Sequence, residues 1–174
     1  MVYCGLNAVT KTDALPIPRA DELIDRLGAT KFLSTFDLTS GYWRIALTDE
    51  AKERSAFLMS ERHFQFRVMH FELKNIPATF QRWVNRVLVG VENFSAAYLD
   101  DIAVFSSRWE DYLYHRWEVL CTLQAAGITI KDSKYQIGQG SMVYLEHQVR
   151  SSPVAPLQNT IDAIRAWVSP KTQT

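Results

Sequence analysis

The sequence has few cysteines and lacks any long apolar run, and each shortage excludes a class of protein. Its two cysteines, Cys4 and Cys121, belong to no Cys-x-x-Cys or Cys/His group with the spacing of a zinc site. Two free thiols in a reducing compartment are therefore favoured over a disulfide. No stretch approaches the roughly 20 apolar residues of a membrane span, and the N-terminus has no secretory pattern. We therefore expect an intracellular protein that does not contact membranes.

An excess of charge is also missing, with 19 Lys and Arg against 19 Asp and Glu. Strong independent nucleic-acid binders usually carry a basic excess, because contacts to phosphates supply most of their affinity. The balance counts against tight independent binding, although it leaves room for a local basic stripe. The chain has 174 residues and is 47% apolar, which suits one folded domain and argues against disorder.

Apolar periodicity and turn residues predict alternating strands and helices. Asn75 and Pro77 mark the start of a helix that Gly90 ends, and a second helix has Leu113, Trp117, Leu120 and Cys121 on one face. The predicted helices are 20–27, 75–89, 109–126 and 159–168. The predicted strands and β-rich segments are 32–37, 42–47, 56–59, 63–69, 96–99, 102–105, 128–130 and 142–149, after an extended segment at 2–19.

An acidic pair lies between two of these strands, so the strands on either side of Asp100 and Asp101 are expected to form an antiparallel hairpin. This favours an α+β domain with a mostly antiparallel sheet covered by helices on one face. A third carboxylate, Asp37, ends a separate apolar strand.

Clustered carboxylates need compensation, because neighbouring negative charges at the end of apolar strands repel each other. Divalent cations provide it, and Mg²⁺ prefers a few carboxylates, water and substrate phosphates. Asp37, Asp100 and Asp101 could therefore hold two Mg²⁺ ions. The alternative is ordinary turn chemistry, since aspartates are common in turns. From these features alone, the turn interpretation is the better supported.

Several blocks of the sequence follow one another in the order seen in a known family. The sequence Tyr-Leu-Asp-Asp at 98–101 resembles the Tyr-x-Asp-Asp box of the reverse transcriptases of long-terminal-repeat retrotransposons, in particular the Ty3/gypsy-like branch. The blocks at 36–43 and 73–81 resemble its first catalytic block and the block before the palm helix. The segments 5–10 and 16–19 resemble part of the fingers. The resemblance covers nearly the whole chain and implies a polymerase palm with part of the fingers.

The resemblance implies metal-dependent nucleotidyl transfer. Asp37, Asp100 and Asp101 would hold two Mg²⁺ ions, which Mn²⁺ can replace, with Asp37 and Asp100 as the more direct ligands. Lys134 falls where the family has a lysine suited to protonating the leaving pyrophosphate. For Lys134 the alternative is an exposed loop lysine.

The same resemblance implies substrate contacts. Tyr42 would crowd a ribose 2′-hydroxyl and so favour dNTPs, and Phe71 and Lys74 would contribute to the nucleotide site. Gln81 would face the template–primer, as would Tyr98 and Leu99. The alternatives are a strand aromatic for Tyr42, core packing for Phe71 and a solvent-facing helical glutamine for Gln81.

Some positions depart from the family pattern. Cys4 stands where an arginine would grip the triphosphate, and His70 and Glu72 replace a proline and a glycine beside Phe71. Glu146 stands where the family has a glycine near the primer backbone. Glu72 and Glu146 would both repel phosphate. Tyr135 takes a position often occupied by cysteine.

We expect one reverse-transcriptase domain fragment over 1–174. Segments 1–35 and about 50–75 are expected to belong to the fingers, 36–49 and 76–150 to the palm, and 151–174 to the connection toward a thumb that lies outside the chain. The expected partners are an RNA or DNA template with a primer, and dNTPs, within a longer polyprotein that carries protease, ribonuclease H and integrase regions. The expected location is the cytoplasm or virus-like particles.

Three hypotheses remain open at this point. The intact aspartates favour an active RNA-directed DNA polymerase. The departures at Cys4, Glu72 and Glu146 favour a retroelement remnant that keeps the fold without catalysis. A nucleic-acid-binding module without catalysis is the third, and the neutral net charge weakens it.

Overall fold

The computed structural model describes residues 3–38, 41–131, 136–139, 141–145, 147–150, 155–156 and 162. Its helices are α1 (Cys4–Val9), α2 (Ala20–Gly28), α3 (Asp49–Arg54), α4 (Ile76–Val87) and α5 (Trp109–Ala125), with a 3-10 turn at Gly41–Arg44. Its strands are β1 (Phe32–Asp37), β2 (Phe57–Met59), β3 (Arg62–Phe64), β4 (Ser95–Tyr98), β5 (Asp101–Ser106), β6 (Gln136–Gln139), β7 (Ser141–Tyr144), β8 (His147–Arg150) and β9 (Ala155–Pro156).

A four-stranded antiparallel sheet in the order β4-β5-β1-β6 forms the centre of the fold. Two smaller sheets accompany it, the hairpin β2-β3 and the sheet β7-β8-β9. The β1–β5 register runs from Phe32 opposite Ser106 to Asp37 opposite Asp101. The predicted α+β class with a mostly antiparallel sheet is therefore confirmed.

Both faces of the central sheet are buried. On one face, Phe36 and Val104 pack with Phe80 of α4 and Val119 of α5. On the other face, apolar side chains of α2 and of the β7-β8 pair pack against the sheet, among them Leu27 and Val149. The prediction of cover on one face alone was too simple, because a strand with both faces apolar must be covered twice.

The predicted helices 20–27, 75–89 and 109–126 are confirmed as α2, α4 and α5, but the buried face of α5 was wrongly assigned. Its buried residues are Tyr112, Val119 and Leu123, whereas Leu113 is 42% and Trp117 62% exposed. This helix has apolar residues all round, so its spacing alone does not show which side meets the sheet.

Two local predictions were wrong and one helix was missed. The segment 42–47 is mostly a 3-10 turn, with a single bridge between Ala46 and Val68, and α1 interrupts the extended segment 2–19. The missed helix α3 begins after Thr48, whose hydroxyl accepts a hydrogen bond from the backbone N–H of Ala51 at 3.3 Å.

Other β segments differ mainly in extent. The pair 56–59 and 63–69 is confirmed as the shorter hairpin β2-β3. The segment 142–149 is two strands, β7 and β8, and 128–130 forms a single bridge, between Ile130 and Leu38. Apart from residue 162, the predicted helix 159–168 lies outside the described residues. No described helix is long and apolar enough to span a membrane, and Cys4 and Cys121 are free thiols.

Polar contacts hold the N-terminal segment against the start of α4. Arg82 donates from Nη2 to both carboxylate oxygens of Asp13, at 2.9 and 2.8 Å. The side chain of Asn75 accepts from the Asp13 N–H at 3.0 Å and donates to the Lys11 carbonyl at 2.8 Å. Asn75 is therefore used in tertiary contacts and makes no side-chain cap bond to its own helix.

Replacing Arg82 with alanine should loosen this segment. The ion pair is partly exposed, so we expect a loss of only about 0.5–1 kcal/mol in the free energy of unfolding. Tryptic cleavage after Lys11 or Arg19 should nevertheless accelerate several-fold, because local opening exposes both sites. Arg86→Ala, on the exposed side of α4, is the control. Equal cleavage rates in the two variants would contradict the role of the Asp13–Arg82 contact.

Candidate active site

The sheet brings two of the three predicted aspartates side by side. Asp37 ends β1 directly opposite Asp101, the first residue of β5. The backbone N–H of Leu38 donates to the Asp100 carbonyl at 2.9 Å, which ties the end of β1 to the β4-β5 turn. The antiparallel register thus gathers residues that are more than sixty positions apart in the sequence.

A tight turn presents Asp100 beside this pair. Tyr98 pairs with Asp101, so the loop between β4 and β5 contains two residues, Leu99 and Asp100. Leu99 has φ of 51°, in the left-handed region that a residue with a Cβ rarely adopts. An unusual backbone conformation at a cluster of carboxylates is a common feature of functional sites.

The environment of Asp100 opposes ionisation of its carboxyl group. Burial, followed by the charges of Asp37 and Asp101, raises its pKa to about 6. Its Oδ1 atom is buried and makes no hydrogen bond within the described residues. A bound cation would compensate both the repulsion and the unsatisfied oxygen.

The three carboxylates nevertheless do not form a complete metal cage. Among the described residues, no three His, Cys, Asp or Glu side chains are placed closely enough to hold one ion. Mg²⁺ is usually bound by one or two carboxylates, with water and substrate phosphates as the remaining ligands. The residues present fit that open kind of site, in which the substrate completes the coordination.

Gly41, Tyr42 and Phe80 form a wall beside Asp100. The Tyr42 ring packs on the fully buried Phe80 ring, with centroids 4.6 Å apart. Burial and the charge of Asp100 both raise the pKa of the Tyr42 hydroxyl group. A Cβ atom at Gly41 would lie 2.5 Å from Phe80 Cζ and 3.5 Å from Asp100 Oδ1, so only glycine fits there. Tyr42, predicted to crowd a ribose 2′-hydroxyl, therefore lies next to the acidic cluster.

Gln81 lies on the inner side of α4, with 0% exposure. Its side chain accepts from the Leu99 N–H at 2.8 Å and donates to the Ala97 carbonyl at 3.0 Å. Neither a template–primer contact nor a solvent-facing glutamine fits this buried position. By contrast, Tyr98 is partly exposed on the same turn.

Phe71 and His70 belong to a row of stacked rings that continues to Phe66. His70 stacks on Phe66 with centroids 4.4 Å apart, and Phe71 stacks on His70 at 4.7 Å. Phe71 is 63% exposed, so its predicted role as a floor for a nucleotide is sterically open and core packing is excluded. His70 Nδ1 also accepts a long bond, 3.4 Å, from the Glu72 N–H.

Lys74 is directed toward the N-terminal segment. Its ammonium group donates to the Thr10 carbonyl at 3.1 Å, and its backbone N–H donates to the Asn7 side chain at 2.9 Å. It lines a cavity of about 820 Å³ between α1, α3 and the start of α4. No described contact joins Lys74 to the acidic cluster.

Two of the departures lie close to Tyr3. Cys4 is the next residue and is exposed. Burial, followed by the negative charge of Glu72, raises the pKa of the Tyr3 hydroxyl group. Asn7 donates to the Glu72 carbonyl at 2.8 Å. Lys134, Tyr135 and Glu146 lie outside the described residues.

Sequence reasoning missed Tyr144 as a neighbour of the cluster. This tyrosine of β7 is almost fully buried, and its hydroxyl donates a long hydrogen bond, 3.4 Å, to the Asp101 carbonyl. Burial, with smaller contributions from Asp101 and Tyr98, raises its pKa strongly. Because the contact joins two different sheets, no local pattern in the sequence could have indicated it.

The raised pKa of Asp100 predicts how stability should depend on pH without metal. The folded state holds the Asp100 proton up to about pH 6, whereas the unfolded state releases it near pH 3.8. The free energy of unfolding should therefore fall as pH rises through this window. Denaturant titrations in EDTA at pH 5 and 7.5 measure the effect. The histidines titrate in wild type and in Asp100→Asn alike, so the difference between the two proteins gives the contribution of Asp100. Identical pH profiles of the two proteins would contradict the raised pKa of Asp100.

Comparison with known proteins assigns the family. The family model "Reverse transcriptase (RNA-dependent DNA polymerase)" matches residues 1–149. Polyprotein P3 of Commelina yellow mottle virus is 36% identical over 143 residues, which are 82% of this chain and 8% of that protein. The enzymatic polyprotein of figwort mosaic virus (strain DxS) is 30% identical over 165 residues, 95% of this chain and 25% of that protein.

A transposon protein and a solved structure extend this result. The retrovirus-related Pol polyprotein from transposon 297 of Drosophila melanogaster is 31% identical over 169 residues, 97% of this chain and 16% of that protein. The foamy viral protease-reverse transcriptase dRH in complex with double-stranded DNA superposes with a TM-score of 0.85 at 20% identity. That alignment covers 95% of this chain and 29% of the foamy viral chain.

The fold is that of the palm and fingers of a polymerase. The chain belongs to the reverse transcriptase family of RNA-dependent DNA polymerases, and it spans a quarter or less of the three related polyproteins. Its relatives are polyproteins of viruses and of a transposon.

Proposed function

We propose that this chain is the catalytic palm and fingers region of a Ty3/gypsy-like retrotransposon reverse transcriptase, altered at its substrate contacts. The observation that carries the proposal is the meeting of Asp37, Asp100 and Asp101 at one edge of the sheet, with the pKa of Asp100 raised to about 6. Such a cluster suits a metal-dependent phosphoryl transfer better than an ordinary turn, because a solvated turn would leave the Asp100 pKa low.

The proposed reaction adds a deoxynucleotide to a primer. The primer 3′-hydroxyl loses its proton to solvent, its oxygen forms a bond to the α-phosphorus of a dNTP, the bond from that phosphorus to the bridging oxygen breaks, and pyrophosphate leaves. When bound at Asp37, Asp100 and Asp101, two Mg²⁺ ions, or Mn²⁺ in their place, would lower the pKa of the attacking hydroxyl and neutralise charge on the phosphates. The protein itself supplies positioning and electrostatics.

The remaining roles are proposed for Tyr42, Phe71, Tyr98, Leu99 and Lys134. Tyr42, packed on Phe80 beside Asp100, would crowd a ribose 2′-hydroxyl, and the exposed ring of Phe71 would contact the nucleotide. Tyr98 and Leu99, on the turn before Asp100, would contact the primer end. Lys134 would donate the proton that pyrophosphate takes up on leaving.

The proposed setting is a longer polyprotein. Within it, 1–35 and about 50–75 would belong to the fingers, 36–49 and 76–150 to the palm, and 151–174 would lead toward a thumb. An RNA or DNA template with its primer, and dNTPs, are the proposed ligands. The cytoplasm or a virus-like particle is the proposed location.

The altered residues explain why we propose weak or absent activity for this polypeptide alone. Cys4 cannot form the bidentate phosphate contact of an arginine, and Lys74 is engaged with the Thr10 carbonyl. Glu72 places a carboxylate close to Tyr3, in the same region as Cys4. Glu146 would add a further negative charge near the primer. These features support the second candidate, a retroelement remnant that keeps the palm without catalysis.

Primer extension on an RNA template tests the proposal. The chain alone should extend a primer weakly or not at all in Mg²⁺ or Mn²⁺. A form extended with the thumb of a relative and carrying Cys4→Arg, Glu72→Gly and Glu146→Gly should extend the primer at least ten-fold faster than the thumb-extended form without these three changes. Asp100→Asn should abolish that gain. Asp25→Asn, at an exposed position of α2, is the matched control.

Two results would count against the proposal. Robust extension by the unaltered chain, lost in Asp100→Asn, would show that the substituted residues do not impair catalysis. No gain from the three reversions would show that they are not what limits activity. Template–primer binding without extension in every form would instead favour a binding module.

A further inference from the structure

The buried amide of Gln81 contacts the backbone on both sides of Tyr98. Its Oε1 accepts from the Leu99 N–H at 2.8 Å, and its Nε2 donates to the Ala97 carbonyl at 3.0 Å and to Asn85 Oδ1 at 2.9 Å. Both amide hydrogens and the amide oxygen are therefore used. The helix α4 thus contacts both the end of β4 and the turn that carries Asp100.

The two backbone groups fix the orientation of this amide. The Ala97 carbonyl needs a donor and the Leu99 N–H needs an acceptor, so the side chain must offer both at the same reach. Among side chains of this length only glutamine does so. Glutamate would lose the bond to Ala97, and methionine would lose both.

The contact falls on the strained residue of the turn. Leu99 has φ of 51°, a conformation that Gly, Asn and Asp adopt far more readily than leucine. It directly precedes Asp100, whose carbonyl pairs with the Leu38 N–H at the end of β1. Any relaxation of φ at Leu99 would therefore redirect the chain at Asp100 and Asp101.

We propose that Gln81 is a positioning residue that holds Leu99 in the left-handed conformation and thereby sets the placement of the Asp100 and Asp101 carboxylates. The effect of Gln81 on catalysis rests on the proposed function, whereas its effect on the conformation of Leu99 does not. A glutamine that only filled the core would contribute to stability without changing the turn. The positioning role and the core-filling role can be distinguished, because only the positioning role predicts that a change at Leu99 compensates for the loss of Gln81.

The test combines a loss at Gln81 with a repair at Leu99. Gln81→Met keeps the length of the side chain and removes both backbone contacts, and Leu99→Gly removes the cost of positive φ. Hydrogen exchange of the residue 99 amide reports on the turn, and water-proton relaxation with Mn²⁺ reports on the carboxylates. Gln124→Met, at an exposed position of α5, is the matched control.

Gln81→Met should speed exchange of the Leu99 amide at least ten-fold and weaken Mn²⁺ binding about three- to ten-fold. Adding Leu99→Gly should restore Mn²⁺ binding to within two-fold of wild type while the lowered melting temperature of Gln81→Met persists. If Gln81→Met does not fold, Gln81→Glu, which keeps the bond to Leu99 and loses the one to Ala97, replaces it with smaller changes expected in the same direction.

Two outcomes would overturn the proposal. The first is exchange at Leu99 and Mn²⁺ affinity within two-fold of wild type after the change at Gln81. The second is a loss of Mn²⁺ affinity that Leu99→Gly does not repair. Should wild type itself bind no Mn²⁺, the proposed metal site fails, and exchange of the Leu38 amide, which donates to the Asp100 carbonyl and not to Gln81, decides whether Gln81 holds the turn.

Discussion

Replacing Asp100 with asparagine should stabilise the metal-free protein at pH 7.5 and remove its stabilisation by divalent ions. Burial and the charges of Asp37 and Asp101 oppose ionisation of this carboxyl group, so a neutral amide relieves the repulsion. A rise of the Asp100 pKa from 3.8 to about 6 corresponds to ~3 kcal/mol, and partial solvent screening reduces the expected gain to about 1–2 kcal/mol. Denaturant titration in EDTA measures this gain.

The same variant should respond differently to metal. Millimolar Mn²⁺ should raise the melting temperature of wild type, because an ion that binds only the folded state stabilises it. Asp100→Asn should show little or no rise, while Asp25→Asn on the exposed side of α2 should behave as wild type. An Asp100→Asn protein that is less stable in EDTA and still responds fully to Mn²⁺ would contradict the electrostatic account of the cluster.

Adding one methyl group at Gly41 should be among the most damaging small changes in the chain. The new Cβ would lie 2.5 and 2.9 Å from two ring carbons of Phe80, and this ring is fully buried under Tyr42. Because the ring has little room to move, we expect Gly41→Ala to lower the free energy of unfolding by about 1–3 kcal/mol. The shifted ring should also disturb Asp100, and Mn²⁺ binding should weaken.

The chain offers a matched control for this substitution. Gly5 lies in α1, and a Cβ there would meet no heavy atom within 4 Å. Gly5→Ala should be neutral or slightly stabilising, since alanine favours a helix over glycine. Urea titrations of both variants measure the difference. Equal stability of Gly41→Ala and Gly5→Ala would show that the contact with Phe80 is not tight.

Local patterns were sufficient where an element is set by its own sequence. The strand β1 and the hairpin around Asp100 and Asp101 follow from apolar runs bounded by turn residues. The helix α4 follows from Asn75, Pro77 and an apolar periodicity of the helical type. The position of Asp37 at the end of one strand and of Asp100 in a turn was therefore predictable, whereas Asp101, expected in the same turn, begins β5. The family resemblance added the prediction that the three aspartates share a metal site.

Features that depend on packing were not predictable from the sequence. The β-rich residues Tyr42 and Ile45 form a compact turn and its exit because Tyr42 packs on Phe80, and this contact outweighs strand propensity. On α5, the apolar pair Leu113 and Trp117 faces outward because the sheet meets the opposite side of the helix.

The polar contacts of the site could not be predicted from the sequence either. Gln81 and Tyr144 each approach the turn or strand that carries the aspartates from another element, and each does so through a hydrogen bond to backbone. Every residue has a backbone carbonyl and nearly every residue a backbone N–H, so the sequence does not show which of them a side chain will contact. Only the three-dimensional arrangement shows that a glutamine in an amphipathic helix faces the turn that carries Asp100.

A Mn²⁺ titration followed by water-proton relaxation tests most directly our proposal that Asp37, Asp100 and Asp101 form the metal site of a reverse transcriptase palm. Wild type and Asp25→Asn should bind Mn²⁺ at millimolar concentrations, and Asp37→Asn/Asp100→Asn should lose that binding. Retained binding in the double variant, or no binding in wild type, would contradict the claim.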